Sequence, residues 1–217
     1  MGTGFAPGGA GPVGALAPDL DLRGPLGRTA VRGYSRVREA VLPGFLRRLR
    51  RELEAGPFQR FEGSFGKVRQ EIEGFDVVPP FEGFPLLAAL ARELEGLVRA
   101  HGRGIRGLAT WRVREVGVAR YRPGSIGITP HLDGKWYRRL VAVVTVHGRA
   151  RFAVCGSRDA ADVVEEWWTE PGDLVLMRGP GLAGHRDGRP FHLVEGPRRG
   201  TRLSLGFRMP VPRGAGG

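Results

Sequence analysis

The chain has 217 residues, enough for one domain with a well-buried core and short for two. Its single cysteine, Cys155, excludes an internal disulfide and any thiolate zinc site, so a metal would have to be held by histidine and carboxylate. The formal charge of +12 admits a polyanionic partner without requiring one, because nearly all of it is arginine in a chain rich in Gly, Ala and Pro, the bias of a GC-rich genome.

Residues 1–30 are dominated by Gly, Pro and Ala and lack the basic start and unbroken apolar run of a secretory signal, so a disordered tail is expected there. No apolar run elsewhere approaches the ~20 residues that span a bilayer. A soluble, cytoplasmic monomer with no membrane partner is the expectation.

Residues 31–108 read as helical support that could also serve as a substrate lid. Within them, 35–56 looks helical on either side of Pro43-Gly44, with Phe45, Leu46, Leu49 and Leu53 on one face and Gly56-Pro57 as the stop. Residues 57–82 are looser and rich in Phe and Gly. A second amphipathic helix follows over 84–102, its face made by Leu86, Leu87, Leu90, Leu94, Leu97 and Val98.

From residue 109 to 210 the texture changes to short β-type segments separated by turn residues: 110–121, 127–133, 139–148, 151–155, 163–168, 172–179, 191–196 and 201–209. Cys155 closes the apolar segment "RFAVC" and reads as core filling. Strands after helices argue a β-sandwich or small barrel with helices laid on one face, followed by a flexible C-terminus over 211–217.

Alternate residues of a strand face the same side, so His131 and Asp133 in "ITPHLD" can aim an imidazole and a carboxylate at one point. That is two thirds of a 2-His-1-carboxylate facial triad. Five histidines are available: His101 ends a helix and His147 ends an apolar strand, which leaves His185 and His192 for the third place. His192 lies in the strand-like "FHLVEG" and is favoured over His185, which lies in the loop-like "GLAGHRDGRP", because a strand positions a ligand better.

In "TRLSLGFRM", Leu203, Leu205, Phe207 and Met209 fall on one face and Arg202, Ser204, Gly206 and Arg208 on the other. Two arginines separated by small residues make a slot for an extended dianion, since the guanidinium fork pairs bidentately with carboxylates.

Together, "RYRPGSIGITPHLD", "EPGDLVLMRG", "FHLVEG" and the R-x5-R of "RLSLGFR" resemble, in that order, the Fe(II)/2-oxoglutarate-dependent dioxygenases, and specifically their AlkB-like branch, over about residues 110–210. The resemblance implies a mainly β fold with flanking helices (α+β), a double-stranded β-helix or jelly-roll core. It implies that His131, Asp133 and His192 ligate Fe(II) and that Arg202 binds the distal carboxylate of the co-substrate 2-oxoglutarate. Arg208 would lie near the C1 carboxylate, with Tyr121 hydrogen-bonding the co-substrate and Ser204 adding a hydroxyl. O2 would be the second co-substrate, and the reaction oxidative dealkylation of nucleobases in DNA or RNA, as in DNA repair.

Two positions depart from the branch's pattern: Ala119 and Ser204 stand where Asn is usual. The segment from Gly179 to His192 is also longer than the pattern, which keeps His185 open as the third ligand.

For an alkylated base, "GKWYRR" offers Lys135, Arg138 and Arg139 to phosphates and Trp136 or Tyr137 for stacking. A small-molecule hydroxylase uses the same triad and is favoured if residues 57–108 close a small apolar pocket. A β-sandwich binding module whose histidines ligate nothing is the non-enzymatic alternative.

Overall fold

In the computed structural model residues 14–211 are described. The first half of the chain builds α1 (Arg23–Arg32), β1 (Tyr34–Val37), α2 (Pro43–Glu54), the hairpin of β2 (Gln59–Phe65) with β3 (Val68–Val77), and α3 (Pro85–His101). The second half is all strand apart from a 3-10 turn at Leu182–Gly184: β4 (Glu115–Tyr121), β5 (Gly127–His131), β6 (Leu140–His147), β7 (Ala150–Cys155), β8 (Val163–Thr169), β9 (Leu174–Arg178), β10 (Phe191–Val194) and β11 (Arg202–Arg208).

Both longer helices begin with proline, whose missing N–H costs nothing in the first turn. α2 buries Phe45, Leu46, Leu49 and Leu53, the face read from the sequence. The Glu52 carboxylate accepts the free N–H groups of Leu86 and Leu87 at the start of α3, 2.8 and 2.9 Å away, and so ties the two helices together.

The strands form one antiparallel sheet in the order β1-β9-β6-β11-β4-β3-β5-β10-β7-β8, with β2 appended to β3. β3 joins its two halves, pairing with β4 over Glu73–Val77 and with β5 at Gln70 and Glu71. The halves face each other across a buried cluster in which Tyr34, Tyr121, Val141 and Met177 meet Phe152, Val154 and Val194. A larger core lies on the outer side, where Leu26, Leu49, Leu53, Leu90 and Leu94 pack on Val116, Val118, Leu176, Leu205 and Phe207. This is the double-stranded β-helix with helices on one side.

β11 is central, flanked by β6 and β4. Its apolar residues face the helices and its Arg202, Ser204, Gly206 and Arg208 line the interior cavity.

Several sequence expectations need correction. The tail expected over 1–30 does not hold for residues 14–30: Ala15, Leu22 and Leu26 are fully buried, and the N–H groups of Ala15 and Leu22 bond to Glu93 and His101 of α3. Composition hides this because the partners lie more than 70 residues away in sequence. Residues 1–13 and 212–217 lie outside the described residues.

Residues 35–37, expected helical, belong to β1, because pairing with β9 outweighs local propensity. The loose stretch 57–82 contains the long β2–β3 hairpin, so residues 31–108 contribute strands as well as helical support.

Candidate metal centre

His131 ends β5 and His192 sits on β10, and the two are direct cross-strand partners. Partners on one face of an antiparallel pair lie close together, and here the imidazole centroids are 4.2 Å apart at 52°. Asp133, two residues beyond His131, completes a group in which one donor atom from each residue lies within 4.8 Å of the others.

Each histidine is oriented by its own neighbourhood. Nδ1 of His131 lies 2.9 Å from the Thr129 carbonyl, and Nδ1 of His192 lies 3.2 Å from the Pro190 carbonyl. A carbonyl only accepts, so both Nδ1 atoms carry the proton and both Nε2 lone pairs are left for a metal. Burial, reinforced by the neighbouring His192, holds the His131 pKa down at about 4. His131 is therefore kept in the neutral form that a metal requires.

Arg189, ion-paired with Asp187 at 2.7 Å, donates to the backbone carbonyl of Asp133 and pins the turn that carries the carboxylate. Nothing in the sequence marks that contact.

His185 follows the 3-10 turn, is exposed and stands outside the cluster. The remaining histidines are structural: Nδ1 of His101 accepts the Leu22 N–H, and Nδ1 of His147 accepts from Arg50. Cys155 is buried in the sheet.

Below the triad lies a cavity of about 100 Å³, walled by Val141, Val143, Phe152 and Met177 and reaching Arg202. Arg202 is 1% exposed and has no carboxylate partner among the described residues. It donates to the hydroxyls of Thr169, Ser204 and Thr145 at 3.2, 3.0 and 3.2 Å, and its guanidinium lies 5.0 Å from the centre of the Tyr121 ring. Three bonds leave one N–H on each terminal nitrogen, the fork that a carboxylate takes bidentately. Burial lowers the Arg202 pKa and raises that of Tyr121.

Arg208 borders the same cavity. It is held by Glu115 at 3.1 Å and the Tyr137 hydroxyl at 3.2 Å, while its buried Nε has no partner among the described residues. Gly117 and Gly206 leave it room, since a Cβ at Gly117 would stand 2.8 Å from its Nη1. Two imidazoles and a carboxylate above, with an uncompensated guanidinium and an orphaned donor below, suit a hard-to-borderline divalent cation beside a small dicarboxylate.

No protein-family model and no curated protein matches the chain. Solved structures do match it in fold. A prolyl-4-hydroxylase from Pseudomonas putida aligns with a TM-score of 0.59 at 20% identity, over 88% of this chain and 99% of its own. A 2OG-Fe(II) oxygenase family oxidoreductase from Burkholderia pseudomallei aligns at 0.57 and 13% identity, over 88% and 91%. OsALKBH1 aligns at 0.55 and 16%, over 82% and 98%. The chain has the fold of the 2OG-Fe(II) oxygenases. That fold is common to the prolyl hydroxylase and the AlkB homologue, and so does not select the AlkB-like branch.

The residues expected at the substrate separate into two groups. Trp136 is 43% exposed beside the Asp133 turn, and Lys135 is exposed next to it. Tyr137 instead turns inward, its ring 4.7 Å from the Arg208 guanidinium, and is not free to stack on a base. Arg139 is likewise committed, donating to the Gly181 carbonyl. Arg138 is partly exposed and has no ion pair among the described residues.

Proposed function

We propose that the protein is an Fe(II)- and 2-oxoglutarate-dependent dioxygenase, with His131, Asp133 and His192 holding the iron and Arg202 the distal carboxylate of 2-oxoglutarate. The observation that carries this reading is the stacking of a preformed His-Asp-His cluster over a buried arginine that has hydroxyl partners but no paired carboxylate among the described residues. An isolated buried charge is expensive, and an incoming carboxylate removes the cost.

Ser204 and Tyr121 fix the Arg202 fork, and Arg208 presents its free Nε to the other end of the co-substrate. Val141, Val143, Phe152 and Met177 exclude water from the walls. When bound, the iron and 2-oxoglutarate supply O2 activation and removal of hydrogen from a substrate C–H bond. Hydroxylation of an N-alkyl carbon releases the alkyl group as an aldehyde.

As substrate we favour a nucleobase in a single strand, with Trp136 as the stacking surface and Lys135 and Arg138 for phosphates. A small-molecule hydroxylase is the second reading. Its support is the hairpin: Ile72 lines the cavity, and its partner Phe61 shares that face with Phe65. This apolar flank suits an uncharged substrate.

The class is tested by succinate formation from 2-oxoglutarate under Fe(II) and O2. Turnover is expected in the wild-type protein and its loss in Asp133→Ala; turnover that survives this substitution would remove the triad from the mechanism.

A further inference from the structure

An aromatic column leads away from the candidate iron ligand. The His192 ring stacks on Phe152 at 5.6 Å and 9°, Phe152 on Trp167 at 4.9 Å and 21°, and Trp167 on Tyr34 at 6.4 Å and 21°. Trp167 belongs to β8 and Tyr34 to β1, the two strands that end the sheet path. The column thus closes the interior between them.

Two features exceed what packing asks. The Trp167 Nε1–H is buried without an acceptor among the described residues, a cost that a phenylalanine would not incur. The column also ends on a phenol with a proton acceptor: the Tyr34 hydroxyl donates to Glu165 Oε2 at 2.9 Å, and Arg32 bonds the same phenol oxygen at 3.2 Å and the same carboxylate at 2.8 Å. Arg32 and Glu165 are 55% and 47% exposed, so the chain of contacts runs from the metal centre to solvent.

We propose that Trp167 and Tyr34 form an oxidation relay, an outlet through which the metal centre oxidises Tyr34 when O2 is activated with no substrate in place. The inference rests on the iron reading above. Iron held by His131, Asp133 and His192 would supply the one-electron oxidant once O2 is activated, and Tyr34 would give up one electron to it through Trp167 and across the Phe152 contact. The Tyr34 O–H proton moves to Glu165, leaving a neutral tyrosyl radical and a carboxylic acid. A soluble one-electron reductant such as ascorbate then returns a hydrogen atom to Tyr34, and Glu165 releases its proton to solvent.

The environment sets the direction. Trp167 has no acceptor for its N–H proton, so electron loss there leaves a cation, 6.0 Å from the Arg36 guanidinium. Like charges at that range repel. Tyr34 can shed its proton, and the oxidation comes to rest there.

The test is freeze-quench electron paramagnetic resonance of the Fe(II)- and 2-oxoglutarate-loaded protein mixed with O2 in the absence of any further substrate, with peptide mapping of oxidised residues. A tyrosyl signal is expected in the wild type. It should be lost in Tyr34→Phe and Trp167→Phe, which preserve ring packing, reduced in Glu165→Gln, which keeps a hydrogen-bond acceptor but cannot take the proton, and quenched by ascorbate. In Trp167→Phe the oxidised residues should shift to the cavity wall.

A signal that persists in Trp167→Phe overturns the relay. So does its absence from a wild-type protein that shows the visible charge-transfer absorption of an anaerobic Fe(II)·2-oxoglutarate complex. Absence of that absorption overturns the iron reading and the relay with it.

Discussion

Arg202 and His131 each give up solvation, and each does so in a way that has a measurable consequence. Replacing Arg202 with Met keeps the volume but removes a charged donor pair worth about 1.5–3 kcal/mol per hydrogen bond, so the 2-oxoglutarate KM should rise by at least about tenfold. Steady-state succinate assays check this, and Arg202→Lys, which restores the charge without the fork, should recover only part of the loss. For His131 the sign follows from its depressed pKa. The ordinary histidine value near 6.5 applies to the unfolded chain and about 4 to the folded one, so its contribution is complete above about 6.5 and lost as pH falls towards 4. Urea titrations of chelator-treated protein should show stability falling through this window by on the order of 3 kcal/mol, with a flatter profile in His131→Gln. Both residues were legible in the sequence, because strand alternation placed Arg202 with Arg208 and His131 with Asp133. Thr145, Thr169 and Arg189 were not, since each comes from another strand or a loop and only the fold brings it near.

At the level of elements, a helix or strand was legible where its own residues decide its fate and illegible where a distant partner does. α2 and α3 carry apolar spacing that survives in the structure, and β11 alternates so regularly that its two faces could be assigned to a core and a cavity before either was seen. The β2–β3 hairpin was missed because β2 is exposed along its whole length, so no buried face imposes alternation on it. α1 was missed for a different reason. Its sequence, RGPLGRTAVR, has two glycines and a proline, and its stability comes from Leu26 and Ala30 packing under the sheet and from Gly33, whose φ of 98° ends the helix in the left-handed region. Leu26→Ala should therefore cost roughly 2–5 kcal/mol in chemical denaturation, as for a core leucine. A change near zero would return this segment to the loose tail that its composition suggested.

For the whole molecule the open choice is between a polyanion and a small uncharged substrate, and the charge of +12 does not make it alone. Many of the arginines are committed within the fold: Arg36 to Asp173, Arg120 to Glu73, Arg151 to Glu166 and Glu195, Arg178 to backbone carbonyls. What counts is the subset that follows Asp133 in the chain, Lys135 and Arg138 with the exposed Trp136 between them in sequence. If these take a single strand, log K for binding falls with log salt with a slope of about −0.7 per phosphate neutralised. Lys135→Ala and Arg138→Ala should each flatten that slope by about 0.7, whereas Trp136→Ala should cost roughly 1–3 kcal/mol of stacking and leave the slope unchanged. Fluorescence anisotropy with a short labelled oligonucleotide across a salt series separates the two effects. The absence of binding even at low salt, in a protein that still turns over 2-oxoglutarate, would instead assign the mouth to an apolar small molecule held against Ile72, Phe61 and Phe65.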